Sequence, residues 1–111
     1  MEVFNHHIYE YRKGVRRLIL HTADAASLEE MRKKLDRWRI DYAVFPLGPD
    51  RINLFFGDAL CVEVIRKIGK ASLMDYSDEE DFILGILLGY DKIQQCERYL
   101  LQRERRGVLA G

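Results

Sequence analysis

One uninterrupted apolar run, Phe82 to Tyr90, constrains the fold of this chain more than any other segment. At about 100° per residue, its large apolar side chains cover roughly two-thirds of a helix circumference, and glycines occupy the rest. A helix on the surface of a globular protein normally carries charged residues on one side. We therefore expect protein on nearly every side of this helix, which a chain of 111 residues cannot easily supply alone.

The apolar run therefore predicts a contact between subunits, because exposed apolar patches of this size usually mark interfaces. Gly85 and Gly89 have the small-xxx-small spacing that lets a second helix approach closely. Packing within the chain, with Gly89 as the cap of the helix, is the alternative. The residues predicted to contact a second subunit are Phe82, Leu84, Gly85, Leu88, Gly89 and Tyr90.

Length and composition predict a single soluble domain over residues 1–111. The longest apolar run is far shorter than the roughly 20 residues that span a bilayer. The N-terminus lacks the basic start and apolar stretch of a secretory signal. The two cysteines have no metal-like spacing, which favours reduced thiols. We therefore expect a cytoplasmic protein that does not bind a membrane.

The formal net charge is zero, but the charges are segregated along the chain. Residues 75–91 contain six acidic side chains and no Lys or Arg, whereas residues 92–111 contain five basic and two acidic side chains. A nucleic-acid-binding domain is usually net basic, so this class of partner is not expected. The pattern predicts two unlike patches that contact each other, or one that contacts a protein partner.

Periodicity and turn signals predict a helix, a strand, a helix, a hairpin of two strands and three further helices. Capping boxes are predicted at Ser27–Glu30 and Ser77–Glu80, and Ala71–Met74 is a candidate fourth strand. The predicted fold class is α+β, with a small ferredoxin-like (split β-α-β) antiparallel sheet of three or four strands. An extra N-terminal helix and two C-terminal helices complete it.

Helical spacing also predicts which side chains face the core. Because the predicted strands are apolar without clean alternation, both faces of the sheet are expected to be covered. The two inner helices are expected on one face, and terminal helices or a second subunit on the other. The side chains predicted to point inward are Leu28, Met31, Leu35 and Trp38 on the second helix, Leu60, Val64, Ile65 and Ile68 on the third, and Ile93, Cys96, Leu100 and Leu101 on the last.

Three histidines and two cysteines are the candidates for chemistry. Adjacent His6 and His7 point in different directions on a helix, so they cannot form the i, i+4 pair that binds zinc. Cys61 and Cys96 are predicted on inner helix faces, where cysteine packs as a small hydrophobe. The sequence contains no phosphate-binding glycine loop and no nucleophile elbow. We therefore expect no enzyme activity, no metal and no cofactor.

Two other function classes stay open at this point. A small-molecule sensor would bind its ligand at the subunit interface, near the strand end at His21 to Asp24. An enzyme would require the histidines or a cysteine to converge in one cleft with a perturbed pKa.

Two stretches carry a resemblance to a known family. The first is Asn5-His-His-Ile-Tyr-Glu10, followed by Lys13-Gly14, Arg17-Leu18 and Leu20-His-Thr22. The second is Leu87-Leu-Gly-Tyr-Asp91, followed by Gln95-Cys96 and Arg98-Tyr99. The chain resembles, over essentially its whole length, a small bacterial family called domain-of-unknown-function family twenty twenty-three. The resemblance implies a small α/β domain with three strands that forms homodimers.

The same resemblance implies a role related to flavodoxin, because members of the family are encoded near flavodoxins. Flavodoxins are acidic, so the basic surface of the helix over residues 27–39 becomes the expected docking face for such a partner. Its candidate contact residues are Arg32, Lys33 and Arg37.

Overall fold

The computed structural model describes residues 1–110, with the surroundings of side chains given for residues 1–107. Five α-helices surround a three-stranded antiparallel sheet, which confirms the predicted α+β class. No helix within residues 1–110 combines the length and apolar character needed to cross a membrane. The elements are α1 (Glu2–Arg12), β1 (Leu18–Asp24), α2 (Leu28–Arg37), β2 (Asp41–Pro46), β3 (Arg51–Gly57), α3 (Ala59–Ile68), α4 (Asp78–Leu87) and α5 (Lys92–Ala110).

Strand β3 lies at the centre of the sheet, with β1 on one side and β2 on the other, and it runs antiparallel to both. The turn at residues 47–50 joins β2 to β3 as the predicted hairpin, where the Leu47 N–H donates to the Arg51 carbonyl (2.7 Å). Because β3 is covered on both faces, all of its residues from Ile52 to Gly57 are buried. This explains why its sequence does not alternate.

Each face of the sheet has its own hydrophobic cluster. Helices α1 and α2 cover one face, where Phe4 and Leu35 pack against Ile19 and Phe56. The rings of Phe4 and Phe56 meet edge to face, with centroids 5.5 Å apart. On the other face, α3 and α4 pack against the strand residues Leu18, Ala43 and Phe55. Both faces are therefore covered within the single chain, as expected. The expectation that the two inner helices would share one face is wrong, because α2 and α3 pack on opposite faces.

The third helix buries a different set of residues from the predicted one. Val62 and Ile65 are fully buried in the core, whereas Leu60 is 83% exposed and Val64 is also exposed. Half-buried Cys61 and Ile68 flank the buried pair. The inward stripe therefore runs through Cys61, Val62, Ile65 and Ile68, and the predicted inward positions of Leu60 and Val64 are wrong.

The candidate fourth strand at Ala71–Met74 is wrong, because this segment forms a short 3-10 helix at Leu73–Asp75. The Ser72 hydroxyl accepts a hydrogen bond from the Met74 N–H (3.2 Å), which folds the chain into a tight turn. The Asn53 side-chain amide donates to the Ala71 carbonyl (3.1 Å). Both contacts engage backbone groups that a strand would need for its own ladder.

The two predicted capping boxes have different outcomes. At the start of α4, the Ser77 hydroxyl accepts from the Glu80 N–H (3.1 Å), and Glu80 accepts from the Ser77 N–H (2.9 Å), so this box is confirmed. Ser27 makes no side-chain capping bond. It ends a 3-10 helix and already has helical dihedral angles, whereas Ser77 is extended as an N-cap residue must be.

These two serines provide a matched pair for a stability measurement. Ser77→Ala is expected to lower the free energy of unfolding by about 1 kcal/mol, because the Glu80 N–H at the start of α4 loses its acceptor. Ser27→Ala is expected to change it by less than about 0.5 kcal/mol, because no capping bond is lost. Urea denaturation followed by circular dichroism measures both. Equal losses for the two variants would contradict the assignment.

Candidate functional site

Helices α1 and α2 lie side by side on one face of the sheet and leave a groove between them. Buried Ile8 contributes its floor, and exposed Trp38 closes one end. Residues at i, i+3, i+4 and i+7 of a helix share one face, so each helix presents one such stripe to the groove. The cavity has a volume of about 320 Å³ and is lined by Asn5, Ile8, Tyr9, Arg12, Lys34, Arg37 and Trp38. We call it the basic groove.

Two contacts fix the positions of the cations in the basic groove. The Arg12 guanidinium lies over the Trp38 ring, 3.4 Å from its centroid. This stacking uses the face of the guanidinium and leaves the N–H groups at its edge available to an acceptor. The Lys34 ammonium donates to the Asn5 side-chain oxygen (2.9 Å), which holds the lysine across the gap between the two helices.

The cations of this region form no ion pair with the acidic side chains of residues 1–107. Within residues 1–107, no carboxylate oxygen lies within 4.0 Å of Arg12, Lys34, Arg37 or the other Lys and Arg side chains of α2. Positive charges that approach each other without compensation create a potential that attracts anions. The basic groove is therefore a candidate binding site for acidic groups of a partner.

Of the predicted partner-binding residues, only Arg37 lines the basic groove. Arg32 and Lys33 also lie on α2 but do not line it. Sequence reasoning missed Arg12, Lys34 and Trp38, and Trp38 had been predicted to point into the core. The spacing of Asn5, Ile8 and Arg12 on α1 matches a helical stripe, but only coordinates show which helix packs beside it.

The opposite charges at the C-terminal end of the chain pair with each other. Asp81 accepts two hydrogen bonds from Arg98 (2.8 and 3.2 Å), and buried Asp78 accepts one from Arg106 (2.6 Å). The Tyr99 hydroxyl donates to Glu79 (2.7 Å). The acidic stretch of α4 therefore contacts the basic stretch of α5, as one of the two charge hypotheses predicted.

The ion pairs orient α5 so that its polar side contacts α4, which overturns the predicted inward face of α5. Ile93 is 75% exposed and Leu100 is 63% exposed, and Cys96 and Leu101 are exposed as well. Phe82 and Ile83 of α4 adjoin this stripe. The resulting apolar groove has a volume of about 400 Å³ and is lined by Glu79, Phe82, Ile83, Cys96, Tyr99 and Leu100.

The residues predicted to contact a second subunit divide into two sets. Leu84, Gly85 and Leu88 are buried within the single chain, which leaves them little surface for a partner. The Gln95 side chain packs so closely on Gly85 that a methyl group there would overlap it. The absence of a side chain at Gly85 thus lets α5 of the same chain pack closely against α4. Much of the apolar surface that was expected to contact a second subunit is therefore buried within the single chain.

The other three predicted contact residues keep accessible surface. Phe82 is half-buried, and its ring packs against Tyr99 with centroids 5.6 Å apart. Gly89 is exposed with φ +87°, where it ends α4 as a helix cap, and Tyr90 is exposed as well. Of the predicted set, Phe82 is the one that lines the apolar groove.

His7 and His21 lie together where α1 packs on β1, whereas His6 is exposed. His7 Nδ1 lies 3.2 Å from Glu10 Oε1, within hydrogen-bond distance. The rings of His7 and His21 have centroids 5.7 Å apart. His21 borders a cavity of about 370 Å³ beside Phe4 and Met31. Within the described residues, no group of three His, Cys, Asp or Glu side chains has a geometry that could hold a metal ion. Cys61 is half-buried, and burial raises the pKa of its thiol.

The position of His21 makes the stability of the protein depend on pH. Burial lowers the pKa of His21, and the nearby His7 and N-terminal ammonium lower it further. An unfolded histidine titrates near a pKa of about 6.5, so below this pH the unfolded chain binds more protons than the folded one. Stability is therefore full above that pH and is lost as the pH falls toward the lowered folded pKa.

His21→Gln is expected to remove this part of the pH dependence, whereas His6→Gln, at an exposed position of α1, is expected to retain it. Urea denaturation at a series of pH values from about 7.5 down to about 5 measures the slope. An unchanged slope in His21→Gln would contradict the assignment to His21.

The fold and the groove define a class of small α+β domain with a cationic surface between two helices. The chain belongs to the family described as protein of unknown function (DUF2023), whose profile matches residues 2–103. The family predicted from the two sequence stretches is thereby confirmed. A comparison with curated proteins gives no match.

Proposed function

We propose that this protein is a non-catalytic, cytoplasmic interaction module that forms a homodimer and binds an acidic protein through the basic groove. The uncompensated cations of α1 and α2 are the observation that carries the proposal. Elsewhere in the described chain, the arginines of α5 that face α4 have carboxylate partners. The free thiols of Cys61 and Cys96 support a reducing compartment.

The basic groove suits carboxylate groups that are carried on a protein surface. Arg12 and Arg37 offer planar N–H groups that bind carboxylates in pairs, and Lys34 adds a point charge beside them. Ile8 and Trp38 provide an apolar surface next to these charges. Long-range attraction speeds the encounter, and the apolar contact slows dissociation.

Flavodoxin is the proposed partner because the family resemblance associates these proteins with flavodoxin, which is acidic. A regulatory role follows if binding covers a surface that flavodoxin uses for other partners. Arg32 and Lys33 lie on the same helix as Arg37 and extend the positive surface beyond the groove.

The homodimer is proposed to form through the apolar groove of α4 and α5. Cys96 and Leu100 of α5, together with Ile83 of α4, leave an apolar surface exposed along the two helices. Two copies that pack these surfaces together would remove it from water and bring the four helices into one bundle. Phe82, Gly89 and Tyr90 are the predicted contacts that keep accessible surface for a second subunit.

The sheet is proposed to be a ferredoxin-like one that lacks its fourth strand. In a split β-α-β unit, a third strand lies between two strands that a helix connects. The order β1-β3-β2, with α2 between β1 and β2 in the chain, supports this classification.

A binding titration with charge-reversed variants tests the docking proposal. Arg37→Glu and Arg12→Glu are each expected to weaken the affinity for flavodoxin at least about tenfold, because a positive charge facing carboxylates becomes negative. Arg105→Glu makes the same change at an exposed position of α5 and is expected to leave the affinity nearly unchanged. Isothermal titration calorimetry gives the dissociation constants, and thermal denaturation verifies that each variant is folded.

Ionic strength provides the second readout of the same experiment. Because the Debye length falls from about 10 Å at 0.1 M salt to about 3 Å at 1 M, affinity for the wild-type protein is expected to decrease steeply with salt. Equal affinities of Arg37→Glu and Arg105→Glu, or an affinity that does not respond to salt, would contradict docking through the basic groove.

A further inference from the structure

The two edges of the sheet differ in how their backbone groups are used. The Asp58 N–H donates to the Arg17 carbonyl, and the Ala25 N–H donates to the Asp50 carbonyl (both 2.8 Å). Arg17 and Ala25 flank β1, so the backbone N–H and C=O groups of its odd-numbered residues point toward β3. Backbone groups alternate in direction along a strand. The N–H and C=O of Leu20 and Thr22 therefore point away from the sheet, toward the free edge of β1.

Nothing in the described part of the chain pairs with this edge. Within residues 1–107, no hydrogen bond reaches the outward backbone groups of Leu20 or Thr22. Leu18 is fully buried, so the open part of the edge begins at Leu20, which is half-buried, and continues to the exposed residues Thr22 and Asp24.

The opposite edge, on β2, is protected on both sides of Val44. The Arg66 guanidinium donates to the outward carbonyl of Tyr42 (2.6 Å), and Pro46 has no N–H to offer. Edge prolines and charged side chains are common means of preventing strand addition. On β2 only Val44, between these two residues, keeps both outward backbone groups unpaired among the described residues, whereas on β1 two successive outward residues, Leu20 and Thr22, keep both.

A cavity of about 260 Å³ lies beside the open edge, on the face of the sheet that α4 covers. Leu20, Leu73, Leu84 and Leu88 give it an apolar floor, and Tyr90 and Arg98 form part of its rim. A strand added to β1 would place one of its side chains next to Leu20 on this face. The cavity is large enough for an apolar side chain at that position.

We propose that the free edge of β1 binds an extended segment of a partner protein as a fourth strand. The segment pairs with Leu20 and Thr22 through its backbone and inserts an apolar side chain into the cavity beside Leu20. Peptide recognition by strand addition uses this combination of main-chain bonds and a side-chain pocket. The site is separate from the basic groove and does not depend on the proposed function.

A second copy of this chain is the less suitable occupant. Two β1 edges that pair antiparallel are related by a two-fold axis perpendicular to the sheet, so both copies of the α4–α5 hairpin would lie on the same face. Residues of that hairpin already border the cavity beside Leu20. The two hairpins would therefore compete for the same space, whereas a single extended segment needs only the cavity.

Amide hydrogen exchange of the full chain, measured by NMR, tests the proposal with a synthetic probe. The probe is acetyl-Thr-Val-Thr-Leu-Thr-Val-Thr-amide at about 1 mM. Binding with leucine opposite Leu20 is expected to slow exchange of the Leu20 and Thr22 amides at least about tenfold. The amides of Ile19 and His21, which already face β3, are expected to change little.

Two N-methylated probes provide matched controls. In the paired strand the leucine N–H faces β1 and the N–H of the neighbouring threonine faces solvent. N-methylation of leucine is therefore expected to abolish the protection, and N-methylation of that threonine to preserve it. Absence of protection with the unmodified probe, or equal behaviour of the two methylated probes, would overturn the proposal. Protection that rises with protein concentration alone would overturn the assigned occupant in favour of a second copy.

Discussion

Gly57→Ala is expected to destabilise the protein by at least about 3 kcal/mol, the largest effect of any single substitution considered. Gly57 has φ +146°, and a methyl group on its Cα would overlap the Arg17 carbonyl oxygen and approach Leu18. Arg17 accepts the hydrogen bond that continues the ladder between β1 and β3 at this end. Relief of the overlap therefore requires the two strands to separate at the start of α3.

Gly48→Ala is the control for the contribution of the backbone angle alone. Gly48 also has positive φ (+88°), but a methyl group there would meet nothing within 4 Å. Its loss of stability is expected to stay near 1 kcal/mol, as for other L residues with positive φ in an open turn. Urea denaturation monitored by circular dichroism compares the variants. A loss at Gly57 no greater than at Gly48 would contradict the close strand packing.

Leu100→Glu is expected to raise the dissociation constant of the homodimer at least about a hundredfold. The substitution places a charge in the middle of the apolar groove, where a partner would exclude water from it. Because Leu100 is 63% exposed in the single chain, the fold of each subunit is expected to survive. Sedimentation velocity over a range of concentrations measures the equilibrium.

Leu60→Glu is the matched control, since it is the same substitution at an exposed leucine on α3 that does not line the groove. It is expected to leave dimerisation unchanged. A wild-type protein that stays monomeric at about 100 μM would contradict the homodimer. Equal weakening by Leu100→Glu and Leu60→Glu would instead contradict the assigned surface.

The sequence was sufficient for features that short-range patterns determine. Ser77 and Glu80 satisfy each other three residues apart, so their capping box needs no knowledge of the rest of the fold. The hairpin of β2 and β3 follows from a turn between two apolar runs. At Ser27 the same signature misled, because the preceding 3-10 helix gives the serine a helical conformation that an N-cap does not have.

The faces of the C-terminal helices could not be predicted, because they depend on charges far apart in the chain. On α5 the apolar stripe of Ile93, Cys96 and Leu100 suggested the inward side. The bond from Arg98 to Asp81 instead turns the polar side of α5 toward α4 and leaves the apolar stripe outside. The packing of Gln95 against Gly85 likewise depends on the path of α5.

The basic groove shows the same limit of sequence reasoning. A cluster of Lys and Arg on α2 was evident from the chain, and Arg37, one of its predicted partner contacts, lines the groove. The stacking of Arg12 on Trp38, however, joins residues of two helices that a strand separates in sequence. To predict this stacking, one must know that α1 packs beside α2. That arrangement depends on how both helices pack on the complete sheet.

Trp38 allows the most direct test of docking at the basic groove, because it is the single tryptophan of the chain and lies at the groove. In ¹⁵N-labelled protein titrated with unlabelled flavodoxin, its indole N–H signal is expected to shift as the complex forms and to return as salt is raised. An indole signal that stays unchanged while flavodoxin binds would contradict the account.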